Sequence, residues 1–103
     1  MFKIDLVKDF NPNPYGRYRE DGDSSGQAFR EDVLVPALEK HGNVIVDLSG
    51  TNRYSLSFLS EISEGLIVDS GYSADDVLDR VTFEHSELPS LVSTITDFIT
   101  KHL

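Results

Sequence analysis

Two stretches of the chain carry residues whose types and spacing suit a chemical task. The first is GRYREDGDSSGQAFRED, residues 16–32. Asp21, Asp23, Ser25, Gly26 and Asp32 stand at positions 1, 3, 5, 6 and 12 of a calcium loop, in which alternating oxygens wrap a hard cation around a glycine turn. The match is incomplete. Ala28 occupies the place of a branched apolar residue, and Asp32 is shorter than the usual bidentate glutamate. NPNPYG, residues 11–16, favours turns and supplies no entering helix. His41, His85 and His102 are scattered without metal-ligand spacing, so no metal site is assigned.

The same stretch admits an anion site. Gly22, Ser24, Ser25 and Gly26 precede a helix start, where free amides and the dipole attract negative charge, and Arg17 and Arg19 lie just upstream. Glu20, Asp21 and Asp23 oppose an anion, and no G-x-x-x-x-G-K-[ST] loop is present. A third reading needs no ligand. Ser24-Ser25-Gly26-Gln27 fits the S-x-x-Q capping box, and acidic residues beside a helix start favour its dipole. Capping accounts for most of the stretch; Arg17 and Arg19 keep the anion reading open.

The second stretch is DLSGTNRYSLSFLSE, residues 47–61, which runs from an apolar strand through a loop into a helix. Sites in open α/β sheets form at such carboxyl ends of strands. Ser55 and Ser57 both sit where an N-cap is wanted. Either hydroxyl, exposed there, can accept a phosphoryl group and add about two negative charges to a surface. Arg53 and Phe58 flank the pair and complete a candidate docking face. Asp47 can be read as a general base or as a loop anchor, and the anchor is the commoner role at a strand end. No G-x-S-x-G elbow and no serine with visible His and Asp partners occurs, so no catalytic residue and no cofactor is assigned.

The elements that must position these residues are legible from periodicity. Phe2, Ile4 and Leu6 alternate with charged residues as in a strand. Phe29, Val33, Ala37 and Leu38 recur at helical spacing, with a kink expected at Pro36 and a stop at Gly42. Val44 to Leu48 reads as a strand covered on both faces. Leu59, Ile62, Leu66 and Ile67 mark a second helix, Ser73 caps a third, and Val81-Thr82-Phe83 is another strand. Leu88, Leu91, Val92, Ile95, Phe98 and Ile99 form the stripe of a final amphipathic helix. The expectation is an α/β fold over residues 1–103, one domain with a mixed sheet of about four strands and helices packed on it.

Composition narrows the partners. Against 9 Lys and Arg stand 18 Asp and Glu, a net charge of −9, which disfavours direct nucleic-acid binding because that runs on clustered cations. Such a surface suits a basic protein partner, or mimicry of DNA toward a DNA-binding protein. The chain has no cysteine, so it has no disulfide or thiolate site. It also lacks an apolar run long enough for a signal peptide or a membrane span, and a cytoplasmic location is the expectation.

VIVDLSGTNRYSLSFLSEISEGL resembles the central strand–loop–helix of STAS domains, the fold of bacterial anti-anti-sigma factors. GRYREDGDSSGQAFRE, LVPAL and SFLSE with its following Gly-Leu resemble, more narrowly, a STAS-like domain family of unknown function; the pattern covers residues 15–68. The resemblance implies a regulatory, non-enzymatic protein-interaction module. Its implied partner is a histidine-kinase-like ATPase that phosphorylates a serine at this helix start. The motif there is D-S-x-G; its serine falls on Ser57 or on Ser55, this chain keeps neither the motif's Asp nor its Gly in either alignment, and both serines stay candidates. Two alternatives from other classes are an acidic inhibitor of a DNA-binding protein and a small anion- or nucleotide-binding module using Arg17 and Arg19.

Overall fold

Three short runs form strands, an apolar–charged alternation in β1 (Phe2–Asp5) and β-branched residues in β2 (Val44–Asp47) and β3 (Val81–Glu84). The computed structural model describes residues 1–103. All three strands are parallel in the order β1-β2-β3, with Asp5, Asp47 and Glu84 in register. The expected mixed sheet of about four strands is therefore corrected to a purely parallel sheet of three. Each strand leaves into helical chain that must return across the sheet before the next begins, and that connection makes neighbours parallel.

The sheet is covered on one face only. Ile4, Val44, Val46, Val81 and Phe83 are buried, whereas Lys3 and Thr82 are exposed on the other face. This corrects the expectation that β2 is buried on both sides: Ile45 and Asp47 are only half-buried. On the open face Lys3 Nζ bridges Asp47 (3.5 Å) and Glu84 (3.0 Å).

The helices are α1 (Leu6–Asp9), α2 (Gly26–Phe29), α3 (Val35–His41), α4 (Leu56–Val68), α5 (Ala74–Arg80) and α6 (Pro89–Thr100). Ser25, Ser55 and Ser73 cap α2, α4 and α5, each accepting from the amide three residues on. Gly42 ends α3 at φ 82°, a left-handed conformation that suits glycine. Between α2 and α3 a π-turn spans Arg30–Leu34, closed by the Val35 amide donating to the Arg30 carbonyl. Pro36 cannot donate to the turn before it and its ring crowds the preceding carbonyls; one wide turn relieves both. The break expected at Pro36 thus takes the form of a π-turn just ahead of it.

The core lies between the covered sheet face and the helices. Phe29, Leu34, Leu38, Phe58, Ile62, Leu66, Ile95 and Ile99 are all essentially inaccessible. Burying a side chain of this size contributes about 1.5–3 kcal/mol, which is the main source of stability. α4 is central, packing against α2, α5 and α6.

Candidate functional site

The stretch 16–32 folds into a loop that satisfies its own polar groups. Gly16 takes φ 88°, and the Asp21 carboxylate folds back beneath it to accept the amides of Arg17 (3.1 Å) and Tyr18 (3.0 Å). The first amides of α2 are also occupied. Gly26 donates to the Gly16 carbonyl, Gln27 to that of Arg17, and Ala28 to Ser25 Oγ. The N-cap is Ser25 and not Ser24, and the Gln27 side chain accepts from the Arg19 amide instead of closing a capping box. Arg19 forms a bidentate pair with Asp32 (2.7 and 3.1 Å) and bonds Glu31 (3.0 Å). The amides and the guanidinium that an anion would use thus have partners within the chain, and two carboxylates of the calcium pattern, Asp21 and Asp32, face different donors. Gly22 and Ser24 lie in the connecting turn, and Arg17 leaves the loop for α4.

There it meets a buried ion pair. Arg30, 3% exposed, reaches Glu61, also 3% exposed, at 2.8 Å, and donates to Ser70 Oγ at 2.7 Å. Arg17 approaches the other Glu61 oxygen at 3.7 Å and donates to Ser60 Oγ at 3.4 Å. Two glycines make room. A Cβ on Gly26 would lie 2.8 Å from Glu61 Cβ, and one on Gly65 would lie 2.8 Å from Arg30 Nε. The π-turn begins at Arg30 itself, so the wide turn and the inward guanidinium share one place on the helix. Gly26, Arg30, Glu61 and Gly65 are hence one packing device joining α2 to α4. Neither Arg30 nor Glu61 was singled out from the sequence, where charged residues ordinarily read as solvated. The available signal was a glycine at mid-helix and a glutamate one turn from it on the apolar face.

Beside this pair Glu64 gathers Lys101 (2.9 Å), His102 (2.5 Å) and Ser60 (2.9 Å). Burial alone would raise its carboxyl; the bonds from Lys101, His102 and Ser60 outweigh that and hold it down at about 2. A carboxyl lowered in the folded state stabilises above its unfolded value, here 4.5, and loses that contribution as pH falls toward 2. Glu64→Gln should therefore lower stability at pH 7, on the order of 1–2 kcal/mol. Urea denaturation of both proteins should show the gap closing between pH 4.5 and pH 2. A gap that stays constant across that window would contradict the assignment.

The carboxyl ends of β2 and β3 carry the second stretch. Asp47 Oδ1 accepts the Ser49 amide at 2.9 Å, an anchor for the loop. Burial would raise its carboxyl, but Ser49 and Lys3 hold it below the usual range. Tyr54 donates to the Leu48 carbonyl at 2.8 Å and packs on Phe58. His85 ties the opposite loop: its Nδ1 accepts the amides of Glu87 and Leu88, so its Nε2–H donates to the Thr51 carbonyl (2.8 Å). A cleft of about 300 Å³ lies between the loops, lined by Gly50, Thr51, Asn52, His85, Glu87 and Leu88.

At the start of α4 the four candidate residues separate. Ser55 is the N-cap, its Oγ accepting the Phe58 amide at 3.1 Å. Ser57 is exposed at the second helical position, and its hydroxyl has no intramolecular hydrogen bond. Arg53 is exposed. Six of the nine Lys and Arg side chains pair with carboxylates, which leaves Lys8, Lys40 and Arg53 without one. Phe58 is 0% exposed and belongs to the core, so it does not contribute to a docking face. The exposed apolar residue here is Leu56, 66% exposed between the two serines. In the sequence an apolar residue at a helix start reads as core, which hides the exposure of Leu56.

No helix is long and apolar enough to cross a membrane. Comparison with curated proteins and with solved structures returns no match. Among protein families, a profile described as a STAS-like domain of unknown function matches residues 25–91, which include α2, the buried ion pair and the whole β2–α4 segment. With a parallel sheet, helices on one face and this match over most of its length, the chain belongs to the STAS-like domain family of unknown function.

Proposed function

We propose that this domain is a non-enzymatic regulatory module that docks a protein partner through the start of α4, and that phosphorylation of Ser57 switches the contact. The observation that carries the reading is a free, exposed serine hydroxyl beside an exposed leucine at a helix N-terminus. A docking surface needs an apolar anchor with a polar rim; Leu56 supplies the first, Arg53 and Ser57 the second. A phosphate at Ser57 would be favoured by the helix dipole, contributing about 0.3–1 kcal/mol locally. It would also place about two negative charges beside the anchor, enough to repel or recruit a partner. Ser55 is the poorer acceptor because its oxygen already serves the helix.

The partner class follows from the family resemblance: a histidine-kinase-like ATPase able to transfer the phosphoryl group. Incubation with ATP and such a kinase from the same organism, followed by peptide mass spectrometry, tests the chemistry. Phosphate is expected on Ser57 and lost in Ser57→Ala. Phosphate confined to other residues would overturn the assignment.

A further inference from the structure

The largest groove on the molecule lies away from α4. It measures about 640 Å³ and runs between β1 and the helical segment Arg30–His41, over Phe2, Ile4, Val33, Pro36 and Ala37. β1 is an edge strand, paired only with β2. The Asp5 amide points outward along this edge, where Asp9 Oδ2 covers it at 2.8 Å. Backbone groups alternate sides along a strand, so Lys3 turns its amide and carbonyl to the same outer edge.

The groove is polar at its ends, with opposite signs. His41 stacks on Phe2 at 3.9 Å between ring centres, so His41 and Lys40 mark the end beside the start of β1. Lys40 is one of the three cations without an internal carboxylate. Asp9 marks the end beside the finish of β1, with Asp32 there as well, held by Arg19. A groove with a basic and an acidic end is complementary to a copy of itself turned through a two-fold axis.

We propose that this groove receives β1 of a second copy of the chain, antiparallel, with the two-fold axis at Ile4. Lys3 and Asp5 of opposite copies then exchange both backbone hydrogen bonds, and their side chains meet as opposite charges across the new strand pair. Asp9, released from the Asp5 amide, turns to Lys40 of the second copy. The two three-stranded sheets become one sheet of six, and Asp9 serves as the cover for the edge in the single chain, a device against unwanted pairing. With so short an edge the association is weak and concentration-dependent.

Sedimentation velocity on the full chain from about 10 μM to about 1 mM tests this. The expected result is a concentration-dependent dimer that Lys40→Glu and Asp9→Lys each weaken at least about tenfold and that the double variant restores. Hydrogen exchange at the Lys3 amide should slow as the dimer forms. A monomer over the whole range would overturn the proposal. So would a dimer indifferent to both single variants, one not restored by the double, or a Lys3 amide whose exchange ignores concentration.

Discussion

Glu61→Leu should cost about 3–5 kcal/mol of stability, the largest effect expected of any single polar substitution in this chain. The reason is what it leaves behind. Arg30 is 3% exposed and its Nε already lacks a hydrogen-bond partner, so the guanidinium would keep Ser70 as its one hydrogen-bond acceptor, with the carboxylates of Asp69 and Glu31 at 3.6 and 3.9 Å, beyond bonding distance. A domain of this size holds only about 5–15 kcal/mol in all, and the loss would take much of it. The companion variant makes the cause identifiable. In Arg30→Met with Glu61→Leu no charge is stranded, and stability should recover by several kcal/mol, since buried ion pairs are often replaceable by apolar residues of similar volume. Urea denaturation of both proteins measures it. If Glu61→Leu alone unfolds within about 1 kcal/mol of wild type, the guanidinium is reaching water and the packing account is wrong.

The second large effect is on binding. Leu56→Asp should lower partner affinity by about 10–100-fold, or about 1.4–3 kcal/mol, as loss of an apolar anchor does. Because Leu56 is 66% exposed, its own fold should change by no more than about 0.5 kcal/mol. Phe58→Ala, two residues on, should behave in the opposite way. It empties a fully buried site and costs about 3–5 kcal/mol of stability. The contrast separates a surface residue from a core residue on the same helix turn.

The local elements were readable because their causes are local. The caps at Ser55 and Ser73, the stop at Gly42 and the stripe of α6 depend on residues within a turn or two of each other. What the pattern could not reveal depends on distant chain. VIVD looks buried on both faces until one knows that no helix covers the Ile45 side. Arg30 and Glu61 are 31 residues apart, and nothing in either neighbourhood announces an ion pair. The same limit applied to the site. Ser55, Ser57 and Arg53 could be named from spacing alone, whereas the exchange of Phe58 for Leu56 as the exposed apolar residue required the rotation of α4 against the core. Arg17 and Arg19 read as an anion pair in sequence. In the fold one turns to Glu61 and the other to Asp32, each used by the scaffold.

The proposed docking of a partner at the start of α4, under the control of charge at Ser57, is open to a direct test. The most direct measurement is quantitative affinity capture from the native host on immobilised wild type, Ser57→Asp and Ser55→Ala. Melting curves of the three would confirm that each is folded. Wild type and Ser55→Ala should hold the same partner, while Ser57→Asp should change its recovery at least about tenfold. Capture of the same proteins at the same strength by Ser57→Asp would contradict the account, and a steep loss of that capture with salt would point instead to the acidic surface.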